Sequence, residues 1–326
     1  MGLLRFILAT LVLVSHLSIG VFGYNVGVAS VVLFYVLAGQ VVVRLWAKMS
    51  QRPGALYFFA RDRLLRIFPQ YLVAMTLAGL IWLYDPAAGS FDANPSAADW
   101  FFNLTIIPLN FYMYNGVDEF ILIPPAWSLG AELQFYLLAP LLFGLRGRAQ
   151  WVTFAASFLI FLLAQMQLLN SDHYGYRLLP GVLFIFLLGA CLAPQSTLYA
   201  GRRRLLILWC ALAGYLLWLA ITQDRVPFRL EVALGLVVGL PVIVLLQSRP
   251  AQVGWLKLLN RRAGELSYGI FLFHFPAIWI LQLAGQSHAG IAAFPMVMLF
   301  SLLLAAVGHW LVERPVWHYF RPRLLG

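Results

Sequence analysis

The chain has 326 residues, of which 62% are hydrophobic and 10% are charged, and its mean hydropathy is +0.85. Soluble domains are roughly 45–50% apolar and about 25% charged, so this composition excludes a water-soluble globular protein. The 25 Phe, 14 Tyr and 11 Trp residues exclude a disordered chain, because disordered chains contain few aromatic residues. With 2 cysteines, neither a disulfide framework nor a four-ligand zinc site is expected. The composition therefore indicates an integral membrane protein.

Ten apolar segments have the length of about 20 residues that a membrane-spanning helix needs. In chain order they are 2–22, 27–46, 64–84, 126–145, 151–169, 178–195, 204–222, 230–247, 267–285 and 291–311. The first is interpreted as a helix and not as a signal peptide, because no small-residue cleavage site follows it. We expect an all-α polytopic membrane protein with ten transmembrane helices, in which residues 1–326 form a single transmembrane domain.

The net charge is +10, and the basic residues are concentrated in alternate connections between these segments. All but three of the 22 Lys and Arg residues belong to one set of connections and to the termini. The other set contains Arg177, Arg225 and Arg229, together with acidic residues such as Asp85 and Asp118. Because basic residues of membrane proteins collect on the cytoplasmic side, both termini are predicted to be cytoplasmic.

One connection, 85–125, is much longer than the others and is predicted to face the outside. It has no Lys or Arg and contains the aromatic run 100–102. Loops of this length are usually functional. We expect it to form a lid or an interfacial helix.

Polar side chains inside apolar segments are costly and mark candidate functional sites. Arg5 and His16 are 11 residues apart, which places them on nearly the same helix face and about 16 Å apart along the axis. His16 and Glu132 each lie about 10 Å from the outer membrane edge. A carboxylate at the depth of a histidine can orient its ring and raise its basicity. The alternative for His16 is a purely structural hydrogen bond.

Arg63 and Arg66 lie one helical turn apart at the cytoplasmic start of the third segment. Because the guanidinium group binds oxyanions bidentately, these two residues and Arg5 predict an anion site at the cytoplasmic face. The alternative is simple anchoring by the positive-inside rule.

Two features near the end of the chain are less specific. His274 follows Ser267 by seven residues and therefore shares its helix face, and either a core or a functional role stays open for it. Glu313 and Arg314 are adjacent, and we expect a local ion pair between them at a helix end.

Five sequence motifs occur in the order found in a known family, the acyltransferase-3 family of membrane-bound acyltransferases, which this chain resembles. They are Arg5 and His16 with ten residues between them, and then 34–39, 63–71, 127–136 and 267–274, followed by Glu-Arg-Pro at 313–315. The chain departs from the family pattern at Ala38, where Ser is usual, and at Gln40, where an aromatic residue is usual. Members of the family acylate surface polysaccharides, lipopolysaccharide and related glycans.

The resemblance implies transfer of an acyl group, usually acetyl, from cytoplasmic acyl-CoA to a hydroxyl of a cell-surface or lipid-linked glycan. It implies that His16 and Glu132 form the general base, with an acyl-enzyme intermediate as the alternative. Arg5, Arg63 and Arg66 would bind the phosphates of acyl-CoA (acetyl-CoA), the co-substrate. The substrate-binding or supporting residues of the motifs are Tyr71, Trp127, Ser128, Tyr136, Ser267, Tyr268 and His274. The implied partners are the glycan acceptor and membrane lipid, in the plasma (bacterial inner) membrane, with no nucleic acid and no metal.

Two other classes of function stay open. A transporter could be proton-coupled through His16, Glu132 and His274, although transporters often show pseudo-symmetry between two halves, which this sequence lacks. A structural partner in a polysaccharide-synthesis complex would not need His16 for glycan acetylation.

Overall fold

A computed structural model describes residues 1–20, 23–89, 91, 94–193, 202–222, 226–248, 254–287 and 289–320, without the side chains of 202–205. Arg225 of the predicted outer connections lies outside the described residues. Within them the chain is helical and has no strand. The α-helices are α1 (Gly2–His16), α2 (Val26–Met49), α3 (Ala55–Tyr84), α4 (Ala97–Thr105), α5 (Tyr112–Asn115), α6 (Ala126–Gly144), α7 (Arg148–Gln165), α8 (Leu179–Cys191), α9 (Arg202–Thr222), α10 (Arg229–Ser248), α11 (Trp255–Leu283), α12 (Phe294–Gly308) and α13 (Arg314–Phe320).

Eight helical segments of the described chain are long and apolar enough to cross a membrane. They are Val26–Met49, Ala55–Tyr84, Ala126–Gly144, Arg148–Gln165, His173–Cys191, Arg229–Ser248, Trp255–Leu283 and Phe294–Phe320. Two shorter apolar helices, Gly2–His16 and Leu206–Thr222, occupy the first and seventh expected segments. The structure therefore confirms an all-α protein with membrane helices, whereas ten full spans and cytoplasmic termini stay predictions.

Helix α1 is shorter than the segment 2–22 expected from the sequence, because it ends at His16 after 15 residues. Hydrophobicity continues past this point, but Ser18 has a φ of 58°, which lies outside the right-handed helical region. The Leu17 carbonyl accepts a hydrogen bond from the Gly290 amide at 2.7 Å. Since a helix of 15 residues is about 22 Å long, α1 is shorter than the roughly 30 Å hydrocarbon core.

The contacts divide the chain into two compact units. The first comprises Met1–Ile19, Tyr57–Leu133 and Ala251–Gly326, and the second comprises Gly20–Leu56 and Gln134–Pro250. Every candidate site residue except Tyr136 belongs to the first unit. A single functional domain over 1–326 stays a prediction.

In the first unit, α1 packs along α11 in the parallel direction. Near the start of both helices, the Leu3 amide donates to Asn260 Oδ1 at 2.9 Å. Near the end of α1, the rings of His16 and His274 are 5.3 Å apart. The helices come this close because Gly2 has no side chain, and a Cβ there would lie 1.9 Å from the Asn260 carbonyl oxygen. This packing places His274 of α11 beside His16.

The described part of the connection 85–125, also in the first unit, is folded. It contains α4, α5 and three short 3₁₀ turns, which are Pro86–Gly89, Ile107–Phe111 and Val117–Phe120. A capping box between Ser96 and Asp99 starts α4, satisfying amides that a helix start leaves without partners. The connection is therefore a set of short helices joined by specific hydrogen bonds, and its role as a lid or an interfacial helix stays a prediction.

Aromatic rings attach this connection to the C-terminal parts of α3 and α11. The Trp100 ring is 5.5 Å from Trp82 of α3 and 5.1 Å from Phe120. The Phe91 ring is 4.7 Å from Trp279 of α11. Edge-to-face pairs at these distances contribute more free energy of stabilisation than their buried area alone. The connection is therefore fixed to helices that carry the candidate site.

In the second unit, α2 and α8 meet through two glycines. A Cβ on Gly39 would lie 1.9 Å from the Phe186 carbonyl oxygen, and a Cβ on Gly189 would lie 1.9 Å from that of Val36. Small residues of this kind let membrane helices approach closely. Gln40, one of the departures from the family pattern, is buried and accepts a hydrogen bond at 2.7 Å from Gln247 of α10. Its polar side chain thus joins two helices of this unit.

Candidate active site

His16 is exposed although it belongs to an apolar helix. Its ring stacks on His274 with 5.3 Å between centroids and 25° between planes, and it lies 4.7 Å from the Phe275 ring. The structure therefore brings together two histidines that the sequence identified separately. It also places a polar, accessible group at the end of α1, beside α11.

His274 is fully buried, at 0% exposure. Its Nδ1 is 3.1 Å from the Ile270 carbonyl oxygen, so Nδ1 carries a proton and donates it to that carbonyl. Its Nε2 is buried and has no hydrogen-bond partner among the described residues. Because the ring is held by packing and by this hydrogen bond, it provides a fixed surface against which His16 is oriented.

Tyr268 joins residues of two helices in the first unit. Its hydroxyl donates to the Ile67 carbonyl at 2.9 Å, and the Arg66 guanidinium lies 5.4 Å from its ring centroid. Tyr268 therefore joins the motifs of α3 and α11.

The predicted pairing of His16 with Glu132 is not decided by these contacts. Glu132 is half-buried and belongs to the same unit as His16. The pair therefore stays a prediction.

Both arginines of the α3 motif form ion pairs with carboxylates. Arg63 Nε donates to Asp62 Oδ2 at 3.1 Å, and both residues are buried. Arg66 pairs with Glu313, which is 247 residues further along the chain. A guanidinium carries five N–H donors, so one carboxylate does not exhaust the donors of Arg66.

The prediction of an ion pair between Glu313 and Arg314 is wrong. Glu313 accepts from Arg66 and lies 2.8 Å from Nδ1 of His309, whereas the Arg314 guanidinium lies 4.5 Å from the Trp310 ring centroid. Adjacent residues of a helix do not face each other, and Glu313 belongs to a π-helical turn, His309–Glu313, at the end of α12. Sequence reasoning missed the role of His309, although the Glu-Arg-Pro motif marked its neighbour.

Arg5 lies near the amino terminus on α1 and is half-buried. Partial burial and the Arg5 guanidinium lower the pKa of the Met1 α-amino group. A common anion site for Arg5, Arg63 and Arg66 stays a prediction. Among the described residues, no three His, Cys, Asp or Glu side chains are grouped so that they could hold a metal ion.

The start of α6 is held by backbone contacts of its motif residues. Ser128 is buried, and its hydroxyl donates to the Pro125 carbonyl at 2.9 Å. The Trp127 carbonyl accepts from Asn110 Nδ2 at 3.2 Å. These contacts fix the first turn of the helix that carries Glu132.

The remaining motif residues are buried. Tyr71 donates its hydroxyl to the Asn103 carbonyl at 2.7 Å, which ties α3 to α4. Ser267 donates to the Gly264 carbonyl at 2.9 Å within α11. Tyr136 is buried in the second unit. These contacts are structural, and a role in substrate binding stays a prediction for all three residues.

Apolar helices that carry histidine, carboxylate and arginine side chains define an integral membrane protein with a polar site. The sequence matches the acyltransferase-3 family, described as an acyltransferase domain, over residues 1–310. A relative from Aquifex aeolicus (strain VF5), itself described as an uncharacterized protein, is 37% identical over 194 residues, which are 58% of this chain and 84% of the relative. No solved structure matches the chain. The chain belongs to the acyltransferase-3 family, which confirms the resemblance and supports an acyltransferase.

Proposed function

We propose that this protein transfers an acyl group, in the first place acetyl, from cytoplasmic acyl-CoA to a hydroxyl of a cell-surface or lipid-linked glycan. In this proposal the protein is located in the plasma membrane, which is the inner membrane in a bacterium. Its termini face the cytoplasm and the connection 85–125 faces the outside. Family membership supports acyl transfer, and the charge distribution of the connections supports the orientation.

The observation that carries the proposal is the exposed ring of His16, supported from behind by the buried His274. An ionisable side chain within membrane helices usually faces a water-filled space or a substrate. A histidine is the most common general base, since its pKa lies near neutral pH. The stacked His274 ring reduces the rotational freedom of His16, as a positioned base requires.

In the proposed reaction, the acceptor oxygen attacks the carbonyl carbon of the thioester while His16 takes the hydroxyl proton. The carbon–sulfur bond then breaks, and the protonated His16 returns its proton to the departing sulfur of coenzyme A. Glu132 would orient or stabilise the charged imidazole during these steps. General-base assistance of this type contributes about 10²–10⁴-fold to the rate.

In the proposed donor site, Arg5, Arg63 and Arg66 bind the phosphates of coenzyme A at the cytoplasmic face. Arg5 precedes His16 by 11 residues on α1, about 16 Å along the axis. Such a separation between anion site and base suits a ligand whose phosphates and thioester are at opposite ends of a long arm. The Asp62 and Glu313 carboxylates would then hold the two α3 guanidinium groups in place.

The test uses the purified full chain in lipid nanodiscs with radiolabelled acetyl-CoA, and it measures coenzyme A release and acetyl incorporation into surface glycan precursors. His16→Asn is expected to lower the transfer rate by about 10²–10⁴-fold while the protein remains folded. His318→Ala, which alters an exposed histidine of α13, is the matched control and is expected to retain wild-type turnover. Full activity in folded His16→Asn would remove His16 from the mechanism.

A further inference from the structure

Phe275 differs from its neighbours in the C-terminal part of α11. In the run 269–279, Phe275 is half-buried and all ten remaining residues are buried. Its ring is 4.7 Å from that of His16. The accessible surface of α11 in this run is therefore an aromatic ring next to the proposed base.

The Phe275 ring is rigidly supported. The Trp279 ring, one turn further along α11, lies 5.5 Å from it, and the buried His274 ring lies 5.0 Å from it. Trp279 itself contacts Phe91 of the outer connection at 4.7 Å. Because aromatic rings held on several sides lose little conformational entropy when they bind a ligand, such a ring is suited to be a binding platform.

The chemistry of the neighbourhood limits what this platform binds. His16 is accessible beside this ring, and a polar ligand or water there costs less free energy than lipid chains would. A ligand for both residues therefore needs one apolar face and hydroxyl groups at its edge. A pyranose ring has this form, since its axial C–H groups make one face apolar and its equatorial hydroxyls lie around the rim.

We propose that Phe275 is the stacking platform for a pyranose ring of the acceptor, placed so that a rim hydroxyl of the sugar reaches His16. This inference rests on the proposed function and adds to it the residue that selects a sugar ring over other hydroxyl compounds. Phe275 would determine the affinity for the acceptor, and His16 would supply the chemistry.

The experiment compares acceptors that do and do not have a pyranose ring. The wild-type chain in nanodiscs receives acetyl-CoA with a panel of methyl pyranosides or with glycerol, and acetylated products are quantified by mass spectrometry. The wild type is expected to acetylate at least one pyranoside more efficiently than glycerol. Phe275→Leu is expected to raise the KM for that pyranoside roughly three- to tenfold, with a smaller effect on kcat and on the rate with glycerol. Phe275→Trp is expected to keep the preference.

Two controls separate this inference from a loss of folding and from the proposed function. Phe158→Leu removes a half-buried ring from α7 and is expected to leave the acceptor KM unchanged, and thermal midpoints of all variants report folding. If the wild type releases no coenzyme A with any acceptor, the proposed function fails. If it transfers acetyl groups but Phe275→Leu keeps the pyranoside KM, or if glycerol equals every pyranoside, Phe275 is not the platform.

Discussion

Asn103 is expected to stabilise the fold of the connection 85–125 strongly. Its side chain is fully buried and forms three hydrogen bonds: Nδ2 donates to the Asp99 carbonyl at 2.9 Å and to the Phe120 carbonyl at 2.7 Å, and Oδ1 accepts from the Leu122 amide at 2.9 Å. Asn103→Ala would remove all three. The Asp99 carbonyl lies within α4 and can keep its helical partner, whereas the Phe120 carbonyl and the Leu122 amide would lose theirs.

A buried backbone group without a partner costs about 1–3 kcal/mol. With two such groups, Asn103→Ala is expected to lower the free energy of unfolding by roughly 2–6 kcal/mol. For a chain of this size, this predicts a fall in the thermal midpoint of about 3–9 °C. Protection from proteolysis between α4 and α6 should fall in parallel, because the affected groups lie in this segment and bind it to α4.

The measurement is thermal unfolding of the purified variant in detergent, followed by limited proteolysis. Thr105→Ala is the matched control, since among the described residues its hydroxyl bonds only to the Phe101 carbonyl one turn earlier, and a change within about 0.5 kcal/mol is expected. Equal midpoints for wild type and Asn103→Ala would contradict the reasoning. That result would mean that the carbonyl of Phe120 and the amide of Leu122 find other partners at little cost.

Two further substitutions test the ion pair and the helix packing. Glu313→Gln is expected to lower the thermal midpoint by an amount equivalent to about 1–2 kcal/mol, because it leaves Arg66, a third of whose side chain is exposed, without its carboxylate. If Arg66 binds phosphate, loss of the carboxylate that holds it should change the rise in midpoint that coenzyme A produces, and an equal rise in variant and wild type would contradict the proposed phosphate site. Gly189→Ala would place a Cβ 1.9 Å from the Val36 carbonyl oxygen and should destabilise the second unit by about 1–3 kcal/mol. Gly214→Ala, which meets nothing within 4 Å, should be neutral or slightly stabilising, and equal midpoints for these two variants would refute the packing argument.

Hydropathy predicted most of the helices because a membrane helix needs a long apolar run and few other constraints. It could not predict where α1 ends, since the residues after His16 remain apolar while a single left-handed φ at Ser18 changes the chain direction. The start of α4 was not predicted, although Ser96 followed three residues later by Asp99 has the spacing of a capping box.

The candidate site was only partly predictable, because depth along a helix says nothing about which helices are neighbours. Depth matched His16 to Glu132, whereas the parallel packing of α1 on α11 placed His274 against His16. The partner of Arg66 was equally hidden, because Glu313 is far away in sequence and has an adjacent arginine that offers a simpler pair. Phe275 carried no signal in a chain so rich in aromatic residues.

The early end of α1 has an electrostatic consequence for the proposed base. The last carbonyl groups of a helix lack helical partners, and together they give its C-terminus about half a negative charge. His16 is the last residue of α1, so it belongs to the turn that carries this partial charge. A cation at a helix C-terminus is stabilised by about 0.3–1 kcal/mol, and by up to about 2 kcal/mol where it is partly buried. A helix that continued to residue 22 would have moved this negative end away from His16, whereas a helix that stops there would favour a protonated ring in the proposed acyl transfer.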